Sequence, residues 1–90
     1  MDGRFSDNPE KGRFELDIGG QIAFANYRRT DEGLLIFHVE TPRALRGQGV
    51  AGELMQYVLD RAQTEKLEVI PFCSYASSWM RRQRQREKQA

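Results

Sequence analysis

Residues 34–40, Leu-Leu-Ile-Phe-His-Val-Glu, are apolar almost throughout, and they lead through Thr41-Pro42 and an Arg/Gly-rich loop into a helical pattern. A short run with so few polar breaks reads as a strand covered on both faces. Pro42 stops it, because proline has no N–H to give to a ladder. From Val50 the period changes. Val50, Ala51, Leu54, Met55, Val58 and Ala62 recur at helical spacing, with Glu53, Gln56, Asp60 and Arg61 mostly turned outward. That helix is expected to end near residues 64–66. Leu67 to Ile70 then reads as a short strand halted by Pro71. Strand, helix and strand in this order call for a layered α/β or α+β domain.

The flanking segments fill in the rest. Phe14, Leu16 and Ile18 alternate with Glu15 and Asp17, the period-2 pattern of a strand with one buried face. Gly19-Gly20 is a two-residue turn in which both positions tolerate φ > 0, and alternation resumes from Gln21 to Arg28, so the pair is a hairpin. Thr30-Asp31-Glu32-Gly33 makes the next turn. By simple alternation His38 and Glu40 point the same way as Leu34 and Ile36. A second helix is expected from near Ser74, carrying Tyr75, Ala76, Trp79 and Met80 inward. The expected order is β-β-β-α-β-α: a small, mostly antiparallel sheet of about four strands flanked by two helices. Residues 1–12, polar and with a turn-prone Asp7-Asn8-Pro9-Glu10, read as a mobile leader. Residues 13–82 form the domain, and 83–90 a basic, frayed tail.

Composition narrows the class. Ninety residues leave room for one thin core. With 39% apolar and 30% charged residues the chain is neither disordered nor membrane-like, and no apolar run is long enough to span a bilayer. The polar start gives no sign of export, and Cys73 is the only cysteine, which suits a reducing, cytoplasmic setting. Residues 1–40 carry five basic and eight acidic groups, whereas 41–90 carry nine and five. The basic excess sits mostly in Arg81, Arg82, Arg84, Arg86 and Lys88. Such a stretch is either a solvated helix end or a contact for nucleic acid or an acidic partner. The aromatic interleaving of single-strand binders is missing after Trp79, so nucleic acid is not the expected partner. One His and one Cys, 35 positions apart, match no metal-ligand spacing, and no metal is expected.

The loop from Arg43 to Gly52 carries the chemistry. A helix start offers N–H groups without intrahelical partners and a dipole that favours an anion. Glycines admit a phosphate close to the backbone, and Arg43 and Arg46 add forked donors. The same pattern also fits a plain arginine-flanked turn. Gly47-Gln48-Gly49-Val50-Ala51-Gly52 matches the dinucleotide fingerprint G-x-G-x-x-G, but six residues separate Glu40 from Gly47, a hairpin precedes it, and too little chain follows for a second βαβ half. A P-loop is excluded because no Gly-Lys-Ser/Thr is present.

Arg46-Gly47-Gln48-Gly49-Val50-Ala51 resembles the R/Q-x-x-G-x-G/A signature of the GNAT superfamily of N-acetyltransferases. The likeness reaches its smallest stand-alone members. It takes in the Phe14–Leu16 strand, the Gly19–Tyr27 segment, His38, the Pro42–Ala51 loop and Val69-Ile70-Pro71-Phe72-Cys73. Two places depart from those relatives. His38 runs directly into Val39-Glu40-Thr41, and Arg81-Arg82-Gln83-Arg84 stands where an Arg-His-Pro-Glu stretch is usual. The resemblance implies a minimal GNAT-like fold, acetyl-CoA as cosubstrate and an amine as acceptor. Residues Arg46, Gly47, Gln48, Gly49, Val50 and Ala51 would then wrap the pyrophosphate, with Arg43 assisting. The pantetheine arm would lie beside Ile70 and Phe72, where the Leu67–Phe72 strand splays from its neighbour.

By the same resemblance Cys73 would sit near the thioester. It reads as an acyl-accepting nucleophile next to the Ser74 helix start, or as a small half-buried apolar residue. His38, a side-chain type suited to proton transfer at neutral pH, reads as a base or as a hydrogen-bonded core residue. Glu40 is a second candidate base, or a plain strand-end charge. Tyr75 could protonate a thiolate, but at helical spacing from Trp79 it also fits the core. The reading is an acetyl-CoA-binding N-acetyltransferase-like protein, monomeric or weakly dimeric, using Cys73, His38 and Glu40, by direct transfer or through an acetyl-cysteine. The competing one is a non-catalytic CoA sensor or an interaction module built on the basic tail.

Overall fold

The computed structural model describes residues 4–89, with side chains described through residue 85. Five strands form one sheet in chain order: β1 (Arg4–Asn8), β2 (Arg13–Ile18), β3 (Gln21–Thr30), β4 (Gly33–Glu40) and β5 (Val69–Pro71). Neighbours are antiparallel except β4 and β5, which are parallel. A parallel pair needs a crossover. That is α1 (Val50–Thr64), preceded by a single 3₁₀ turn at Arg43–Leu45. The chain closes with α2 (Ser74–Gln89). The architecture is mixed α+β, with the helix pattern as expected and one strand more than the four expected.

The extra strand comes from the segment read as a leader. Within Arg4–Asn8 the only apolar residue is Phe5, so no local period announces a strand. What holds it is distant in sequence. Phe5 stacks on Phe14 and on Tyr57, with ring centroids 5.5 and 5.0 Å apart. The Tyr27 hydroxyl donates to Asp7, and Arg29 binds Asp7 at 3.0 Å and Glu65 at 2.8 Å, tying β1 and β3 to the end of α1.

The Gly19-Gly20 turn closes the β2–β3 hairpin, and its second N–H donates to Asp17 Oδ1 at 2.8 Å. In this hairpin Phe14 and Leu16 face Ala25 and Ala23, and all four are fully buried. The small alanines leave room for α1, whose Val50, Leu54, Met55, Val58 and Ala62 fill the space above the sheet. Ala76 and Trp79 of α2 complete the core, while Tyr75 and Met80 are half-buried at its margin. Gly33 opens β4 at φ +146°, where a Cβ would collide with the Glu68 carbonyl oxygen. Only glycine lets β5 come that close, and Leu34 N–H donates to the same oxygen at 2.8 Å.

Both helices lie on one face of the sheet, so the expectation that residues 34–40 are covered on both sides is not met. Leu34 and Ile36 are buried, but Phe37 is 43% exposed. Register explains the rest. Asn26 pairs with His38 whereas Tyr27 pairs with Ile36, so β4 carries one extra residue, Phe37, at a β-bulge. The bulge resets the alternation. Val39 shares the core face with Ala25, while His38 and Glu40 pair with Asn26 and Phe24 on the uncovered face. Simple alternation placed them with Leu34 and Ile36, and the bulge overturns that.

Candidate functional site

The site begins where β5 leaves β4. Pairing runs Leu34–Val69, Leu35–Ile70, Ile36–Pro71, and the last link is the Phe72 N–H to the Ile36 carbonyl at 2.8 Å. Pro71 has no N–H to continue a ladder. Cys73 then turns the chain into α2, its carbonyl accepting from Ser77 N–H at 3.0 Å and its Sγ from Ala76 N–H at 3.4 Å. β4 runs on from Phe37 to Glu40 with no β5 residue opposite. The fork so formed opens into a cleft of about 410 Å³.

Four segments line it. The end of β4 supplies Val39 and Glu40, with Thr41 just beyond it, and α2 supplies Tyr75. Between them lie Leu45, Arg46, Gly47 and Gly49 of the loop and Val50, Ala51 and Gly52 of the first turn of α1. Gly47 and Gly49 have φ of +81° and +78° with open space around them, so conformation rather than crowding asks for glycine there. Gly49 is the N-cap of α1, and no side chain caps the helix. The first intrahelical bond in this turn is Glu53 N–H to the Gly49 carbonyl, at 3.1 Å. The N–H groups of Val50, Ala51 and Gly52 therefore have no intrahelical acceptor. Gly52 serves a further purpose: a Cβ there would stand 3.3 Å from Trp79 Nε1 and 3.8 Å from the Tyr75 hydroxyl, so its absence lets α2 close over the cleft.

The polar side chains are linked. Glu40 Oε1 lies 2.9 Å from His38 Nε2, and Glu40 Oε2 lies 3.6 Å from an Arg46 nitrogen. Arg46 Nε also donates to the Thr41 carbonyl at 3.2 Å. Burial pushes the Tyr75 phenol above its usual range, with the positive charge of Arg82 opposing.

Of the residues singled out from sequence, Glu40, Arg46, Gly47, Gly49, Val50 and Ala51 line this one cleft. Gln48 sits in the same loop but folds back, its side-chain amide donating to the Ala44 carbonyl at 3.1 Å. Arg43 is exposed in the 3₁₀ turn, outside the cleft wall. His38 lies on the uncovered sheet face and reaches the cleft only through Glu40. Ile70 is half-buried in β5, and Phe72 is 61% exposed and stacked on Phe37 at 5.3 Å, also outside the wall. Cys73 is half-buried at the α2 start, its sulfur engaged by Ala76. Tyr75 is at once core margin and cleft wall. Gly52 stood in the sequence only as the last glycine of the rejected G-x-G-x-x-G match.

Among the described residues no group of three or more His, Cys, Asp or Glu is placed to hold a metal ion, and no helix is long and apolar enough to cross a membrane. Of the basic stretch, Arg86 and Lys88 lie outside the residues whose side chains are described.

A parallel edge pair thus forks over a glycine-bearing, uncapped helix start in a small α+β domain. The family model for GCN5-related N-acetyltransferases matches residues 13–89, and the chain belongs to that family.

Proposed function

We propose that this chain binds acetyl-CoA in the cleft and transfers the acetyl group to an amine. The observation that carries the reading is the fork between β4 and β5 with the uncapped start of α1 at its mouth, in a member of this family. Acetyl-CoA, when bound, supplies the acetyl group as a thioester. The free N–H groups of the first α1 turn and Arg46 would take the pyrophosphate, with Arg43 contributing long-range attraction from outside the wall. The unpaired stretch of β4 offers backbone groups along which the pantetheine arm runs, with Ile70 and Phe72 on the opposite limb. Nitrogen attack on the thioester carbonyl forms the C–N bond, breaks the C–S bond and releases CoA as the thiol or thiolate. The amine proton passes to Glu40, which borders the cleft and is backed by His38 at 2.9 Å.

A second route passes the acetyl group through Cys73. In its favour, the Cys73 sulfur sits at the first turn of α2, accepting from the Ala76 N–H at 3.4 Å. Direct transfer is preferred, because Glu40 borders the cleft and Cys73 does not. The test is backbone amide shifts on titrating acetyl-CoA, followed by intact mass of the same sample. Shifts centred on residues 46–52 and 70–73 support the donor site, and their absence at millimolar ligand removes it. A stable gain of one acetyl group, lost in Cys73→Ala, would replace direct transfer with the covalent route.

A further inference from the structure

The cleft wall is nearly neutral. Among its lining residues Arg46 is the one cation and Glu40 the one anion, and they face each other at 3.6 Å. A CoA nucleotide brings a pyrophosphate and, apart from it, a phosphomonoester on the ribose. The bare start of α1 is one anion site, and a second phosphate needs a second cation. Arg81, Arg82 and Arg84 are exposed on α2, and none has a carboxylate partner among the described residues. They are not equivalent. Arg82 follows the cleft-lining Tyr75 by seven positions, two helical turns, so the two side chains leave α2 on nearly the same side, about 10 Å apart along the axis. Arg81 and Arg84 leave it at least about 100° away from that line. The charge of Arg82 also opposes the burial that pushes the Tyr75 phenol up, in keeping with that shared side of the helix.

The geometry points to Arg82 as a second phosphate site at the rim of the cleft, taking the 3′-phosphate of CoA and selecting CoA over 3′-dephospho-CoA. This assignment rests on the donor reading above. The loop and the start of α1 hold the pyrophosphate, and Arg82 holds the phosphate that distinguishes the two nucleotides. It also gives one member of the basic stretch a small-molecule role in place of a macromolecular one.

Calorimetric titration of the full chain with CoA and with 3′-dephospho-CoA at one fixed ionic strength tests it, using wild type, Arg82→Gln and Arg84→Gln. Wild type is expected to bind CoA about tenfold more tightly, the worth of one charge-assisted hydrogen bond. Arg82→Gln should bring the two affinities to within about twofold by weakening CoA alone, with Arg84→Gln leaving the ratio intact. Equal binding of both nucleotides by wild type overturns the assignment while leaving the donor reading standing. So does an Arg82→Gln variant that weakens both nucleotides alike, or an Arg84→Gln variant that lowers the ratio as much, since either means a diffuse basic field. Binding of neither nucleotide by wild type removes the donor reading and this site together.

Discussion

The two ends of the sheet solve opposite problems. At the β1–β3 end every neighbour is paired, Phe14 and Leu16 are sealed under α1, and Arg29 joins Asp7, Tyr27 and Glu65 into one exposed clamp. At the β4–β5 end the ladder stops after three pairs, a bulge shifts the register, and the helix beyond begins without a side-chain cap. The first end spends its polar groups on itself. The second leaves N–H groups and an arginine facing a cleft, which adds little to stability and suits the donor binding proposed above. In so small a domain the closed end has to carry the open one.

The largest effect expected is at the closed end. Phe14→Ala removes a fully buried ring stacked on Tyr27 at 4.3 Å and should cost about 3–5 kcal/mol in denaturant unfolding. A smaller loss would mean that β1 and α1 collapse into the gap. At the open end, Glu40→Gln should lower kcat for amine acetylation roughly a hundredfold, with acetyl-CoA affinity nearly unchanged. Unchanged turnover across a range of pH would remove Glu40 as proton acceptor. Arg46→Ala should weaken acetyl-CoA about tenfold while moving stability by less than about 0.5 kcal/mol. A large drop in melting temperature would instead make Arg46 structural.

The smallest effect concerns the clamp. Arg29 holds the Glu65 carboxyl below the usual glutamate range, and Arg13 does the same for Glu15. A depressed folded pKa gives stability that is present above the ordinary glutamate value and lost as pH falls through the folded one. Glu65→Gln should therefore cost about 1 kcal/mol or less near pH 7, the cost fading as the pH drops below about 4 and in high salt. A constant difference across that acid range would show that the ion pair contributes nothing.

Much of this contrast could be read before any coordinates. The hairpin, the long helix, a short strand near Pro71 and the glycine loop follow from local periods and from residues with narrow conformational preferences, although that strand runs Val69–Pro71, with the proline as its last residue, and not Leu67–Ile70. Six of the loop and strand-end candidates meet in one cleft because they lie close in sequence, around a single strand-to-helix turn. Residues farther along the chain fared differently. Tyr75 shows no local feature that separates a cleft wall from a core position, because both use the same helical spacing. His38 and Glu40 were given the wrong face, since a bulge is a property of two strands in register and period-2 counting sees only one.

Sequence alone determined the elements whose cause is local: that a strand stops before Pro42, where paired glycines can turn, which stripe of α1 is apolar, and that an arginine- and glycine-bearing loop opens a helix. Tertiary structure decided what depends on two distant segments meeting. It recruited Arg4–Asn8 as a strand through Phe5, Tyr27 and Arg29, and it moved His38 and Glu40 across the sheet at Phe37. It also brought Tyr75 over Gly52 to wall the cleft. Local propensity acts over a few residues, whereas these contacts join positions 9 to 52 apart, and only the packed chain selects among them.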